Sequence, residues 1–247
     1  MVIDLKLDFL SDLHIDFHVS KNDPKKIAKY ADLIARILPE NPSNTLFLGG
    51  DYSHLVKDSL LFLTMLSKYY KQVFIVFGNH DYYDKEDYPD SISKVEWLRK
   101  ELNKLPNVRV LNNEVVTYCG KRIFGADMLS TPLLTKDVYF YSESMNDSVY
   151  ISGGLETTQK INKDSIDAYN LISSVDVVLA HSFPIHFPEL GFEPNTNFYV
   201  TVGELKAPIW FAGHIHANFE KERAGTKFIA NALGYTTNKN RIQTYDI

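Results

Sequence analysis

Apolar and polar residues alternate at the start of the chain, with Leu5, Leu7 and Phe9 at a period of two that predicts a strand over residues 2–10. The spacing then becomes helical. Ile27, Ala31, Ile34 and Leu38 follow Asp23-Pro24, which reads as an N-cap and first-turn proline, and Pro39 ends the run. TLFLGG (45–50) and QVFIVF (72–77) are short apolar runs of buried-strand length, with a buried helix from Leu60 to Tyr70 between them. Ser93 and Glu96 have capping-box spacing and open a helix through about Leu105, with Val95, Leu98 and Leu102 on one face. Three strands follow in VRVL, EVVTYCG and KRIFGA (108–126), with a hairpin turn at Cys119-Gly120. Ile161, Ile166, Tyr169 and Ile172 predict a helix over 159–174, and DVVLA, PIWFAG and KFIAN predict further strands. Residues 127–158 and 182–200 hold prolines and aromatics without a steady period, and are expected to be irregular lid loops. Strands alternating with helices predict a single α/β domain.

Composition narrows the class. A chain of 247 residues buries roughly three-quarters of its unfolded surface, enough to hold a precise site. Its net charge of -5 argues against a phosphate-tracking groove, so duplex nucleic acid is a disfavoured partner. The lone Cys119 cannot form an internal disulfide and fits a reducing compartment. MVIDLKLDFL lacks a basic segment followed by an apolar run, and no segment approaches the ~18 apolar residues of a membrane span. The expectation is a cytoplasmic protein with no membrane partner.

The chemistry gathers where strands end. SDLH supplies Asp12 and His14, GGD supplies Asp51, and GNHD supplies Asn79, His80 and Asp81. DVVLA is followed by His181, and PIWFAG runs into GHIH with His214 and His216. Each fragment alone has an ordinary explanation: a hydrogen-bonded turn, a plain Gly-Gly-Asp bend, a structural histidine after a strand. Together they place carboxylates, an amide and imidazoles at the carboxyl ends of strands, where α/β sheets gather ligands. Such donors, with no thiolate among them, suit divalent ions such as Mn, Fe, Zn or Ni.

The ordered set DLH, GGD, GNHD, AHSFP and GHIH resembles the calcineurin-like metallophosphoesterase superfamily across residues 12 to 216. KFIANALGY is similar to the strand and turn that follow the last block, although it lacks the common proline. The resemblance implies a four-layer α/β/β/α sandwich. It also implies a site for two divalent metal ions, with Mn favoured. Asp12, His14, Asp51 and His216 would hold one ion. Asp51, Asn79, His181 and His214 would hold the other, with Asp51 shared. His80 would protonate the leaving oxygen as a metal-bridging hydroxide attacks phosphorus. Asp81 has two readings, orienting His80 or capping the next segment. His54 and His186 are candidate substrate contacts; His18 reads as a surface or supporting residue.

The expected activity is hydrolysis of a small-molecule or nucleotide phosphodiester. The alternatives are a Ser/Thr protein phosphatase or phosphomonoesterase, a nuclease, and a metal-binding interaction scaffold without catalysis. GGDYSHLV lacks the arginine that protein phosphatases of the superfamily carry after this block. Its nucleases add a DNA-capping domain beyond the last metal block, whereas here Ile247 follows soon after His216. An inactive scaffold is expected to have a broken ligand set, and this set is intact.

Overall fold

A computed structural model describes residues 5–84, 88–190, 194–236 and 240–247; residues 2–4 of the first expected strand lie outside them. The first sheet contains β1 (Lys6–Leu10), β2 (Thr45–Gly49), β3 (Gln72–Val76) and β4 (Val108–Val110). The second contains β5 (Glu114–Tyr118), β6 (Lys121–Ala126), β7 (Val177–Ala180), β8 (Ile209–Phe211), β9 (Asn218–Arg223) and β10 (Thr226–Asn231). The last strand, β11 (Gln243–Asp246), returns to the edge of the first sheet, giving orders β11-β1-β2-β3-β4 and β5-β6-β7-β8-β10-β9. The helices are α1 (Ile15–His18), α2 (Lys26–Ile37), α3 (Val56–Ser67), α4 (Ser91–Leu102), α5 (Thr135–Ser144), α6 (Asp147–Tyr150) and α7 (Gly154–Leu171).

Alternation along the strands builds the layers. Phe9, Phe47, Phe74 and Val76 face the second sheet and meet Ile123, Val177, Leu179, Phe211 and Ile229 from it. Their neighbours Leu10, Leu46, Leu48, Val73 and Ile75 face the opposite way, onto Tyr30, Ile34, Phe62, Leu66 and Leu98 of α2, α3 and α4. On the outer face of the second sheet, Phe124, Val178, Trp210 and Phe228 pack with Tyr169 of α7 and with Phe183 and Phe187. The result is the expected four-layer α/β/β/α sandwich. Parallel strands covered on both faces explain why TLFLG and QVFIV read as continuous apolar runs. The Cys119-Gly120 turn has φ of 49° and 79°, the positive pair that a two-residue hairpin demands.

Local expectations fail where polar contacts override the pattern. Asp8 alternates as if exposed but is fully buried, accepting from Thr244 Oγ1 at 2.7 Å and Tyr70 Oη at 2.9 Å. Helix α2 starts after Asp23-Pro24, at Lys26; Ile27 is 64% exposed, and Tyr30, Leu33, Ile34 and Ile37 form the buried face. The α4 cap is Asp90, whose carboxylate accepts from Ser93 N at 2.7 Å, while Glu96 pairs with Arg99. The interval 127–158 is substantially helical. Its α5 buries Asp137 and Tyr141 in place of an apolar stripe, and Asp137 accepts from Thr196 Oγ1 at 2.6 Å. Strand β9, NFEKER, is a charged edge strand, which hides it from a hydrophobic reading. Residues 182–190 and 194–200 are irregular apart from a single turn at Pro188–Leu190. No helix among the described residues is long and apolar enough to cross a membrane.

Phe47 sits at the centre, with ring centroids 5.6 Å from Phe74 and 5.7 Å from Phe211. Phe47→Ala leaves a cavity between the sheets and is expected to cost about 3–5 kcal/mol. Chemical denaturation should show that loss; a change under about 1 kcal/mol would contradict the packing described for the layer between the sheets.

Candidate metal centre

Both sheets direct their parallel strand ends to one edge. A parallel bridge between Ser11 and Ala232 joins them there, and Gly234 N donates to Asp12 O at 2.9 Å. The chain turns sharply at each strand end. Asp12, His14, Asp51, His214 and His216 have φ of 52°, 40°, 58°, 67° and 47°, left-handed conformations that L residues adopt at a cost of order 1–3 kcal/mol each. Glycines make room for the approach. A Cβ on Gly213 would lie 2.4 Å from Asp12 Oδ2, and one on Gly78 would lie 2.2 Å from Asp51 Oδ1.

These turns assemble two groups of donors. In the first, atoms of Asp12, His14, Asp51 and His216 all lie within 4.8 Å of one another. The Nε2 atoms of His14 and His216 are 3.0 Å apart, and His216 Nε2 is 3.4 Å from Asp12 Oδ1. Burial, then His80 and His216, hold His14 well below the usual imidazole range. Asp12 Oδ2 is buried with no hydrogen-bond partner among the described residues. Burial and the Asp12 charge push the Asp51 carboxyl well above its usual range. A divalent cation between these groups would satisfy the orphaned oxygen and turn the repulsion into attraction, so the residues fit one.

The second group centres on Asn79, whose Oδ1 lies 3.0 Å from His181 Nε2 and 3.1 Å from His214 Nδ1. The far nitrogens are committed elsewhere. His181 Nδ1 donates to Gly49 O at 2.8 Å, and His214 Nε2 donates to Asn197 O at 2.9 Å. Burial, then His181, hold His214 down at about 4. With those nitrogens donating, the neutral form of each ring turns its lone pair toward Asn79 Oδ1. Three acceptors converging on one point again fit a cation. Asp51 Oδ2 lies between the groups, 3.7 Å from His14 Nε2 and 3.5 Å from His181 Nε2.

His80 lies beside both groups, with Nε2 3.3 Å from Tyr235 Oη and Nδ1 2.7 Å from His54 Nε2. His54 Nδ1 is 3.1 Å from Asp16 Oδ2. His54 thus stands behind His80 and does not line the cavity. His186 also lies outside it, in an adjacent apolar cleft walled from it by Phe198 and Ile215. His18 donates to Gly234 O at 3.1 Å and braces the Tyr235 turn. Asp81 makes no bond to the His80 ring. Its carboxylate accepts from the backbone N–H of Gly78, Asp51 and Tyr52 at 2.8, 2.8 and 2.9 Å, so it caps its own turn and the earlier loop after β2, and not the segment that follows it.

The cavity above the donors measures about 260 Å³. Met145, Asn146 and Asp147 border it from the first irregular interval, and Phe198 from the second. The aromatic lining comes from Tyr83, Phe198 and Tyr235, and the 127–158 interval contributes Ser144, Met145, Asn146 and Asp147. No lysine or arginine is among the described lining residues. Asp147 went unrecognised in the sequence because it belongs to no strand-end block; Tyr235 closes the quoted KFIANALGY, but nothing in that stretch singled it out.

Comparison with known proteins decides the family: the sequence model of the calcineurin-like phosphoesterases matches residues 5–218. The chain belongs to that family. A calcineurin-like phosphoesterase of this length is also similar to an uncharacterised protein of Acanthamoeba polyphaga mimivirus, 24% identical over 270 residues, covering 97% of this chain and 94% of the relative. Among solved structures, the phosphopantetheinyl hydrolase of Mycobacterium tuberculosis superposes with a TM-score of 0.73 at 14% identity, covering 98% of this chain and 97% of the other. A putative 5'-nucleotidase of Staphylococcus aureus gives a TM-score of 0.52 at 11% identity, over 98% of this chain and 53% of its own. These likenesses show the shared phosphoesterase fold.

Gly78→Ala tests the geometry of this calcineurin-like phosphoesterase site. The added Cβ meets Asp51 Oδ1 and the His181 ring at 2.2 and 2.4 Å, so about 1–3 kcal/mol of stability should be lost together with metal. Thermal melts and elemental analysis check this, and unchanged metal content would contradict the described approach of Gly78 to Asp51.

Proposed function

We propose that this chain hydrolyses a small phosphodiester with two divalent ions, Mn favoured, held by the two donor groups that share Asp51. The observation that carries this reading is the junction of Asp51 Oδ2 with both groups, beside His80 Nε2 and a cavity whose described lining has no fixed cation. Asp12, His14, Asp51 and His216 hold one ion and Asp51, Asn79, His181 and His214 the other. When bound, the ions act as Lewis acids on the phosphoryl oxygens and lower the pKa of water at the site.

The chain's own residues supply the proton. Asp16 Oδ2 accepts from His54 Nδ1–H, which leaves His54 Nε2 as an acceptor. His80 Nδ1 must then donate to it, and the 2.7 Å contact fixes the ring so that Nε2 is the atom presented to the substrate. Burial, then His54 and the other nearby histidines, hold the His80 imidazole well below its usual range, so Nε2 must first take up a proton before it can donate one to the departing alkoxide. Tyr235 Oη, 3.3 Å from that nitrogen, occupies the place of a leaving-group oxygen before substrate arrives.

Charge favours a diester over a monoester. Two divalent ions would offset Asp12, Asp51 and part of the phosphoryl charge; no lysine or arginine among the described lining residues is placed to clamp the second charge of a monoester dianion, a charge that a diester lacks. Tyr83 and Phe198 offer faces for an apolar or aromatic substituent, and about 260 Å³ limits that substituent to a small group. The walls from 144–147 and Phe198 act as the lids over it. A phosphopantetheinyl ester, the substrate class in the name of the Mycobacterium tuberculosis hydrolase, belongs in the test panel.

The experiment is a panel with added Mn²⁺ comprising bis(p-nitrophenyl) phosphate, p-nitrophenyl phosphate, cyclic nucleotides, a phosphopantetheinyl ester and single-stranded DNA. Diesters should dominate, and a strong preference for the monoester overturns the reading. His80→Ala should lower kcat on alkoxide esters about 10²–10⁴-fold with bound metal unchanged, and much less on p-nitrophenyl esters, whose leaving group needs no proton. Equal losses on both would show that His80 is not the acid.

A further inference from the structure

The segment between α5 and α7 brings into the cavity a carboxylate that none of the strand-end blocks contains. Asp147 opens α6 and is 3% exposed. Its Oδ1 accepts from Asn79 Nδ2 at 2.8 Å and from Tyr83 Oη at 2.6 Å. Burial, reinforced by Asp147, keeps the Tyr83 phenol protonated, so that hydroxyl remains a donor.

A side-chain amide can turn over, exchanging oxygen and nitrogen at almost no steric cost. The surroundings of Asn79 favour the wrong orientation. His181 Nε2 and His214 Nδ1 both present lone pairs, because their opposite nitrogens donate to Gly49 O and Asn197 O. Before a cation binds, an amide free to choose would turn its NH2 toward those two acceptors and make two hydrogen bonds. That orientation puts donors where a cation must sit. The oxygen instead faces the imidazoles at 3.0 and 3.1 Å, an acceptor against two acceptors. The group that opposes the turn is the Asp147 carboxylate. It accepts only, so an amide oxygen placed 2.8 Å from it would meet direct repulsion.

We propose that Asp147 is a positioning residue that locks the Asn79 amide with its oxygen toward His181 and His214, and thereby sets the affinity of this side of the site for a divalent cation. The inference rests on the two-ion reading. It also gives the helical segment after Ser144 a chemical role, because folding α6 onto the site readies the second group of donors.

The test is binding of Mn²⁺ to metal-free protein, followed by calorimetry and by elemental analysis of the loaded protein. Wild type should take up two ions. Asp147→Ala should retain the first and bind the second about 10–100-fold more weakly, the usual loss when an outer partner of a metal ligand is removed. Asp147→Asn keeps the shape of the side chain but can donate as well as accept, so it no longer opposes the turned amide and should also bind the second ion more weakly than wild type; full wild-type affinity in Asp147→Asn overturns the accept-only lock. Thermal melts show whether each variant is folded. Two ions of unchanged affinity in Asp147→Ala overturn the positioning role and leave the two-ion reading intact. A single ion in wild type overturns that reading, and the proposal with it, before any variant is made. Should Asp147→Ala not fold, a crystal structure of Mn-loaded wild type decides: Asn79 Nδ2 within hydrogen-bonding distance of Asp147 supports the proposal, and an amide turned away from Asp147 overturns it.

Discussion

The site depends on the Asp81 carboxylate. Two loops, after β2 and after β3, must be held in register so that Asp51 from one and Asn79 and His80 from the other face the same space. Asp81 does this by accepting the N–H groups of Gly78, Asp51 and Tyr52. Asp51 Oδ1 returns the tie by accepting His80 N at 2.8 Å. Fully buried Lys94 of α4 adds a third fastening, donating to the backbone oxygens of His54 and Tyr83. Backbone groups at these bends have no ladder partner, and leaving them unpaired in the interior would cost about 1–3 kcal/mol each. The clamp satisfies them while fixing the spacing of Asp51 from Asn79 and His80.

The sandwich explains why such bends are tolerated. Five donor residues sit in left-handed backbone, a conformation that would relax if the strands behind them could shift. They cannot shift cheaply. The layer containing Phe9, Phe47, Phe74 and Phe211 interlocks the sheets immediately behind the turns, and its aromatic pairs add about 0.5–1.5 kcal/mol each beyond burial. Packing energy from the core is thus used to hold strained geometry at the edge.

Much of this was legible in the sequence, for identifiable reasons. Buried parallel strands leave short apolar runs, ended by glycine after β2, β3 and β8 and by His181 after β7, so these strands and the polar residues at their ends could be read directly. Asp12, His14, Asp51, Asn79, His80, His181, His214 and His216 come together as those strand ends imply. The failures share a cause. Helix α5 buries Asp137, α4 is capped by Asp90 in place of the Ser93 pattern, and β9 is charged from Glu220 to Arg223. In each, polar contacts replace the hydrophobic period that sequence reading follows. Asp81 shows the same limit: its neighbours in sequence allowed two roles, and only the partners 29 and 30 residues away distinguish the clamp it forms from either.

That distinction reaches into the chemistry. The donor residues carry the identity of the site, but their orientations come from groups far along the chain. Gly49 O aims His181 across 132 residues, Asn197 O aims His214, and Asp147 Oδ1 aims Asn79 across 68. His54, tied to Asp16, aims His80. An imidazole or amide offers two chemically different faces within one side chain, so a correct residue with the wrong outer partner presents a donor where an acceptor is required. Two proteins could therefore share every strand-end block and still differ in ion affinity and in the proton available at the leaving oxygen. The segments supplying these outer partners, among them the α6 turn and the loop around Asn197, also wall the cavity. Substrate fit and ligand orientation are consequently coupled: a change in the walls that alters what the cavity admits also acts on how the donors behind it are held.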